Sequence, residues 1–235
     1  MLKLLITFAV IANANGHFVF DYTLPEETIL HMAKISKPTD PSICVTPMHK
    51  ACQGHFNEYI GLDPALDWRN ADQILAHLEV YANTNVTDKL ILCAARAQFF
   101  QCLGLQYRSC MSLYNILNQP STSVQSAYKY VDMYKALDFT CNAGFEESVN
   151  QYSCLQTIGN THAYKNCTDT FTAAVTGHPE LTCSLADTAG KCLNSAYANG
   201  CMHDPRGAGW FGCSSFMMSF DDICYNSARC FVHSY

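Results

Sequence analysis

Cys93-Ala-Ala-Arg-Ala-Gln-Phe-Phe-Gln-Cys102-Leu103 decides how this chain folds. Thr87 can cap a long helix that carries Leu90, Cys93, Ala97, Phe100 and Leu103 on one side. On such a helix Cys93 and Cys102 stand about 13.5 Å apart along the axis and about 180° apart around it. A disulfide needs Cα atoms within about 7 Å. The two cysteines therefore cannot bond to each other. The helix must be stapled to two different neighbours, which suits a central helix.

The same reading extends along the chain. Thr46 and Pro47 open a helix whose apolar positions are Met48, Cys52, Phe56, Tyr59 and Ile60, and Gly61 stops it. Asn70 precedes a stripe of Ile74, Leu75, Leu78 and Tyr81. Ser123 precedes Ala127, Tyr128, Val131, Tyr134, Leu137 and Cys141, with Gly144 as the stop. Strict polar/apolar alternation is scarce, so little strand is expected. The fold class is all-α.

Fourteen cysteines stand at Cys44, Cys52, Cys93, Cys102, Cys110, Cys141, Cys154, Cys167, Cys183, Cys192, Cys201, Cys213, Cys224 and Cys230. An even set of this size implies up to seven disulfides in an oxidising compartment. No Cys-x-x-Cys occurs, which excludes the thioredoxin-type motif and the usual zinc-ribbon spacing. Neither a metal nor a cofactor is expected. Which cysteines pair is not readable from the sequence.

The chain repeats itself. The spacing from Cys93 to Cys102-Leu103 recurs from Cys183 to Cys192-Leu193, and Cys110-Met111 recurs as Cys201-Met202 with one residue more between. Leu137-Asp138-Phe139-Thr140-Cys141 is similar to Phe220-Asp221-Asp222-Ile223-Cys224. Cys93, Cys102, Cys110 and Cys141 thus align with Cys183, Cys192, Cys201 and Cys224, and Cys44 and Cys52 correspond loosely to Cys154 and Cys167. The expectation is two cross-linked helical units, residues 17–153 and 154–235, packed as a pseudo-repeat.

Residues 1–16 read as a secretory signal peptide: Lys3, an apolar run over 4–12, then small residues at Ala12, Ala14 and Gly16. No later stretch is long and apolar enough to span a membrane. The formal net charge is −6, from 14 basic and 20 acidic residues, and loss of Lys3 makes it one unit more negative. That balance argues against binding nucleic acid or anionic membrane through a basic patch. A composition 49% hydrophobic and 14% charged suits a packed core.

The cysteine pattern, the Cys102-Leu103 pair and the stretch from Ala127-Tyr128 to Phe139-Thr140-Cys141-Asn142-Ala143-Gly144-Phe145 resemble a group of secreted roundworm proteins. That group includes chondroitin-proteoglycan-4-like and related cysteine-rich domains. The resemblance covers most of residues 44–230 and implies an all-helical extracellular domain without known catalytic residues. It departs from the proteoglycan pattern at one point: no Ser is followed by Gly, the dipeptide to which chondroitin chains attach.

Candidate chemistry is sparse. Asn85-Val86-Thr87 and Asn166-Cys167-Thr168 are N-glycosylation sequons. Gly207-Ala208-Gly209-Trp210-Phe211-Gly212 matches a dinucleotide-binding string but lacks its strand-helix context, and is expected as a flexible loop. His203-Asp204 beside Cys201 is the one pair comparable with a secreted phospholipase A2, although the double cysteine and calcium loop of that family are missing. Trp210, Phe211, Phe216, Met217, Met218 and Phe220 form the densest apolar cluster, either core or contact surface. The leading functional expectation is a secreted, non-enzymatic extracellular interaction or structural protein, with an unidentified protein or matrix partner. The alternatives are an extracellular lipid hydrolase and a carrier for a small apolar ligand.

Overall fold

A computed structural model describes residues 19–36, 44–224 and 230. The expected signal peptide, residues 1–16, lies outside them. The described residues form twelve α-helices in order: α1 (Glu26–Ile35), α2 (Thr46–Tyr59), α3 (Ala71–Thr84), α4 (Val86–Leu103), α5 (Tyr107–Cys110), α6 (Leu113–Leu117), α7 (Val124–Cys141), α8 (Phe145–Asn150), α9 (Tyr152–Ile158), α10 (His162–Val175), α11 (Thr182–Gly200) and α12 (Pro205–Met218). The described residues contain no strand. None of these helices is long and apolar enough to cross a membrane.

Local chemistry sets the helix ends. Ser123 caps α7 as expected, its hydroxyl accepting from the Ser126 N–H. Asn70 holds the N-cap position of α3 as expected, without a side-chain cap bond, and at α2 and α4 the cap falls on a neighbour of the expected residue. Asn85, not Thr87, caps α4 by accepting from Asp88 N–H at 2.8 Å. Thr46 is already helical, and its hydroxyl donates to Gln119 instead. Gly61 follows α2 at φ +76°, a conformation that favours glycine.

The central helix is α7, not α4. Around α7 the buried side chains include Ala127, Tyr128, Tyr130, Asp132, Met133 and Ala136, which together face every direction. The buried stripe of α4 is Leu92, Ala95, Phe99 and Leu103. Leu90 and Phe100, expected inside, are exposed. The Arg96 guanidinium lies 5.0 Å over the Phe100 ring and partly covers it.

Every cysteine is in a disulfide. Cys93 and Cys102 are stapled to two different helices, as their spacing demands: Cys93 to Cys141 at the end of α7, Cys102 to Cys52 on α2. Cys44–Cys110 completes the first half. In the second half, α11 is stapled at Cys183 to Cys224 and at Cys192 to Cys167 on α10, and Cys154 joins Cys201. All three bridges of one half thus match bridges of the other under the alignment above. Six cysteines allow about 15 pairings, so independent halves would agree about once in 15. Cys213–Cys230 has no counterpart. No bridge joins a cysteine up to Cys141 to one from Cys154 onward.

The Gly-x-Gly-x-x-Gly segment is not a loop. It forms the first half of α12, packed on α11. A Cβ on Gly212 would lie 2.4 Å from the Tyr197 ring, and one on Gly209 would lie 2.9 Å from the Asn194 carbonyl. These glycines let two helix backbones approach closely, and no strand precedes the string among the described residues. Phe216 and Phe220 of the apolar cluster are fully buried, with ring centres 5.3 Å apart. Met217 is buried too, and Trp210, Phe211 and Met218 are half-buried, so the cluster belongs to the core.

Candidate functional site

A segment without helix or strand, residues 19–24, lies over the seam between α7 and the second half. Asp21 N–H donates to the Tyr164 hydroxyl (2.9 Å) and Thr23 N–H to Thr172 Oγ1 (3.3 Å), both on α10. Gln125 Nε2 on α7 donates to Leu24 O (3.1 Å). The rings of this segment enter the core. Phe20 meets Tyr164 and Phe216 at 5.8 and 5.3 Å, and Tyr22 meets Phe171 and Phe216 at 5.5 Å each. The hydroxyls of Tyr22 and Tyr128 are hydrogen-bonded to each other.

Beneath this segment opens a cavity of about 470 Å³, bounded on its other sides by α3 and α7. Three carboxylates line it: Asp21, Glu79 and Asp132. Asp132 is 4% exposed, and its Oδ1 has no hydrogen-bond partner. Burial pushes its pKa up to about 6, against the opposing pull of Ser219, Lys135 and Tyr22. Burial also raises Glu79; Lys129 pulls it down and Asp21 adds to the rise. Lys129, the lining cation, is paired with Asp72.

A second cleft, of about 530 Å³, lies between α4, α5, α7 and the turn after α12. Its charges are largely matched. Arg96 Nε donates to Asp138 at 2.5 Å, and Tyr107 donates to both Asp138 oxygens at 2.8 and 2.9 Å. Lys135 reaches Asp221 at 2.6 Å and Asp222 at 2.8 Å. Burial opposes the charge on Lys135, but the two aspartates outweigh it and hold its pKa above the usual lysine value.

A buried polar network fills the middle of the first half. Tyr130 and Tyr134 both donate to Gln53 Oε1, at 2.5 and 2.8 Å. Because the Tyr130 proton is used there, His49 Nε2, 3.0 Å from that hydroxyl, must be the donor to it. Gln53 donates to Asn57, which donates to the carbonyls of Asp63 and Leu66. His49 stacks on Trp68 with ring centres 5.1 Å apart, and burial lowers its pKa to about 4. The periodicity of α2 hides this network, because His49, Gln53 and Asn57 look like a solvent face. His49 also lies beside Cys44 and Cys110, the one cluster of metal-ligand type among the described residues. Their sulfurs are bonded to each other and offer no thiolate.

The other sequence candidates are dispersed. Asp204 caps α12 by accepting from Gly207 N–H (3.1 Å), and His203 is exposed. Neither lines the cavities described above. Asn85 is exposed at the start of α4. Asn166 is exposed in the middle of α10, but Thr168 of its sequon is buried and donates back to Lys165 O. Lys89, expected by no motif, is buried: it donates to Ser148 O on α8 (3.0 Å) and lies 4.8 Å over the Tyr152 ring at the start of α9. Burial brings its pKa down to about 8.

Comparison with protein families, curated proteins and solved structures returned no match.

Proposed function

We propose that this chain is a secreted, non-enzymatic extracellular binding protein, built from two copies of one three-disulfide helical unit. The observation that carries the reading is the cysteine chemistry: fourteen cysteines, seven bridges and no free thiol. Such a set persists only where the surroundings are oxidising. The signal-like N-terminus and the helices too short and polar to span a membrane agree with release from the cell. Equivalent bridges in the two halves support duplication. The resemblance to roundworm cysteine-rich domains points the same way, while the missing Ser-Gly dipeptide argues for a role other than carrying chondroitin.

The geometry gives a hydrolase little support, since Asp204 is committed to a helix end and His203 stands apart in solvent. A ligand carrier has a specific observation in its favour, the cavity of about 470 Å³, which is within the size range of small-molecule sites.

Expression in a secretory eukaryotic cell tests the reading. The medium should contain protein that begins between residues 13 and 17, with the seven bridges recovered by peptide mapping under non-reducing conditions. Retention in the cytosol with free thiols would refute it.

A further inference from the structure

We infer that the cavity beneath residues 19–24 binds a small organic cation, an ammonium group on an apolar or aromatic body. This deepens the reading of the chain as a binding protein and rests on it.

Charge is the first argument. Asp21, Glu79 and Asp132 line the cavity and none is ion-paired with another described residue, while Lys129, which acts on Glu79 through space, is held by Asp72. Asp132 is the decisive group. It is almost wholly buried and one oxygen is unsatisfied. Leaving a buried carboxylate without a counter-charge costs several kcal/mol. The Lys135 ammonium pulls on Asp132 through space but is already shared by Asp221 and Asp222. Asp132 also borders a space of about 10 Å³, the size of one water. A water there can complete the hydrogen bonding, but it supplies no charge.

The shape of the site selects the kind of cation. A calcium ion needs several protein oxygens at about 2.3–2.6 Å. Among the described residues no three carboxylates bring oxygens within 4.8 Å of one another, so the negative charge here is spread rather than focused. Phe20, Tyr22 and Tyr128 line the same cavity. Aromatic faces attract ammonium groups and also accommodate apolar bodies. Spread negative charge, aromatic walls and a volume of hundreds of Å³ together describe an organic amine.

Titration calorimetry on the purified, disulfide-intact protein at pH 7.5 tests this with three probes of one shape: 2-phenylethylamine, 2-phenylethanol and phenylacetate. The amine should bind saturably with one site, the alcohol at least about tenfold more weakly, and the anion not at all. Asp132→Asn and Glu79→Gln should each weaken amine binding by about tenfold. Glu79 is only half-buried, so its variant keeps the test valid should Asp132→Asn fail to fold. Asp187→Asn, at an exposed ion pair on α11, should change nothing. No amine binding, equal binding of amine and alcohol, or binding unaffected by both cavity variants would overturn the inference. Those results in a secreted, fully bridged sample would leave the broader function standing, so the two failures are distinguishable.

Discussion

The ammonium of Lys135 on α7 lies 2.6 Å from Asp221, across a boundary that no disulfide crosses. Asp222 accepts from the same ammonium at 2.8 Å. The two halves are each closed covalently, so contacts of this kind must hold them together. Lys135→Ala should lower stability by about 1–2 kcal/mol, the worth of charged hydrogen bonds whose acceptors are half in solvent. Urea unfolding followed by circular dichroism measures this. Raising the salt concentration should shrink the difference between variant and parent.

His49 and Asp132 give opposite pH dependences. Unfolded, His49 takes up its proton near pH 6.5; folded, it waits until about pH 4. Between those values the unfolded state binds more protons, so this histidine costs stability as the pH falls, by about 3 kcal/mol in all. Asp132 titrates near 3.8 unfolded and about 6 folded, so the folded state holds more protons and acidification favours it by about 3 kcal/mol. The difference in unfolding free energy between parent and His49→Gln should therefore fall as the pH drops from 6.5 to 4. The difference between parent and Asp132→Asn should rise from pH 6 to 4. A His49 difference that rises on acidification, or an Asp132 difference that falls, would contradict the corresponding assignment.

Gly212→Ala places a methyl against the Tyr197 ring where no space exists. Overpacking of this kind costs about 1–3 kcal/mol. A thermal unfolding scan should show a lowered midpoint with helical content retained, because the strain falls on the α11–α12 contact and not on the backbone of either helix.

Asn85 should carry a glycan and Asn166 should not. Both asparagines are exposed, but Thr168 is buried inside α10 next to the Cys167–Cys192 bridge, whereas the Asn85 sequon lies at a helix start with Thr87 exposed. Enzymatic deglycosylation of the secreted protein should remove the mass of one glycan, and Asn85→Gln should abolish that shift.

Much of the fold was legible because cysteine spacing and helix geometry are both periodic constraints. The impossibility of a Cys93–Cys102 bridge required only helix rise and bond length. The pairing partners were not legible, since they depend on where distant helices dock. The inward face of α4 was misread because apolar residues occupy more than one side of it, and only tertiary packing decides that Phe99 enters the core and Phe100 does not. The glycine string was misread for a related reason: glycine lowers helix propensity, yet α11 is close enough to need its missing side chain. The candidate cavity left no trace in the sequence. Its carboxylates come from residues 19–24, from α3 and from α7, at separations that no local motif records.

The separation of the two bridge sets has a consequence for how the molecule is made. Chains emerge N-terminus first. Cys141, the last cysteine of the first half, enters an oxidising compartment before Cys154, the first of the second. All six early cysteines thus have their native partners present before any late one arrives. Oxidative maturation then becomes two small sorting problems in succession, with about 15 pairings for the first six cysteines and about 105 for the last eight, instead of one very large one.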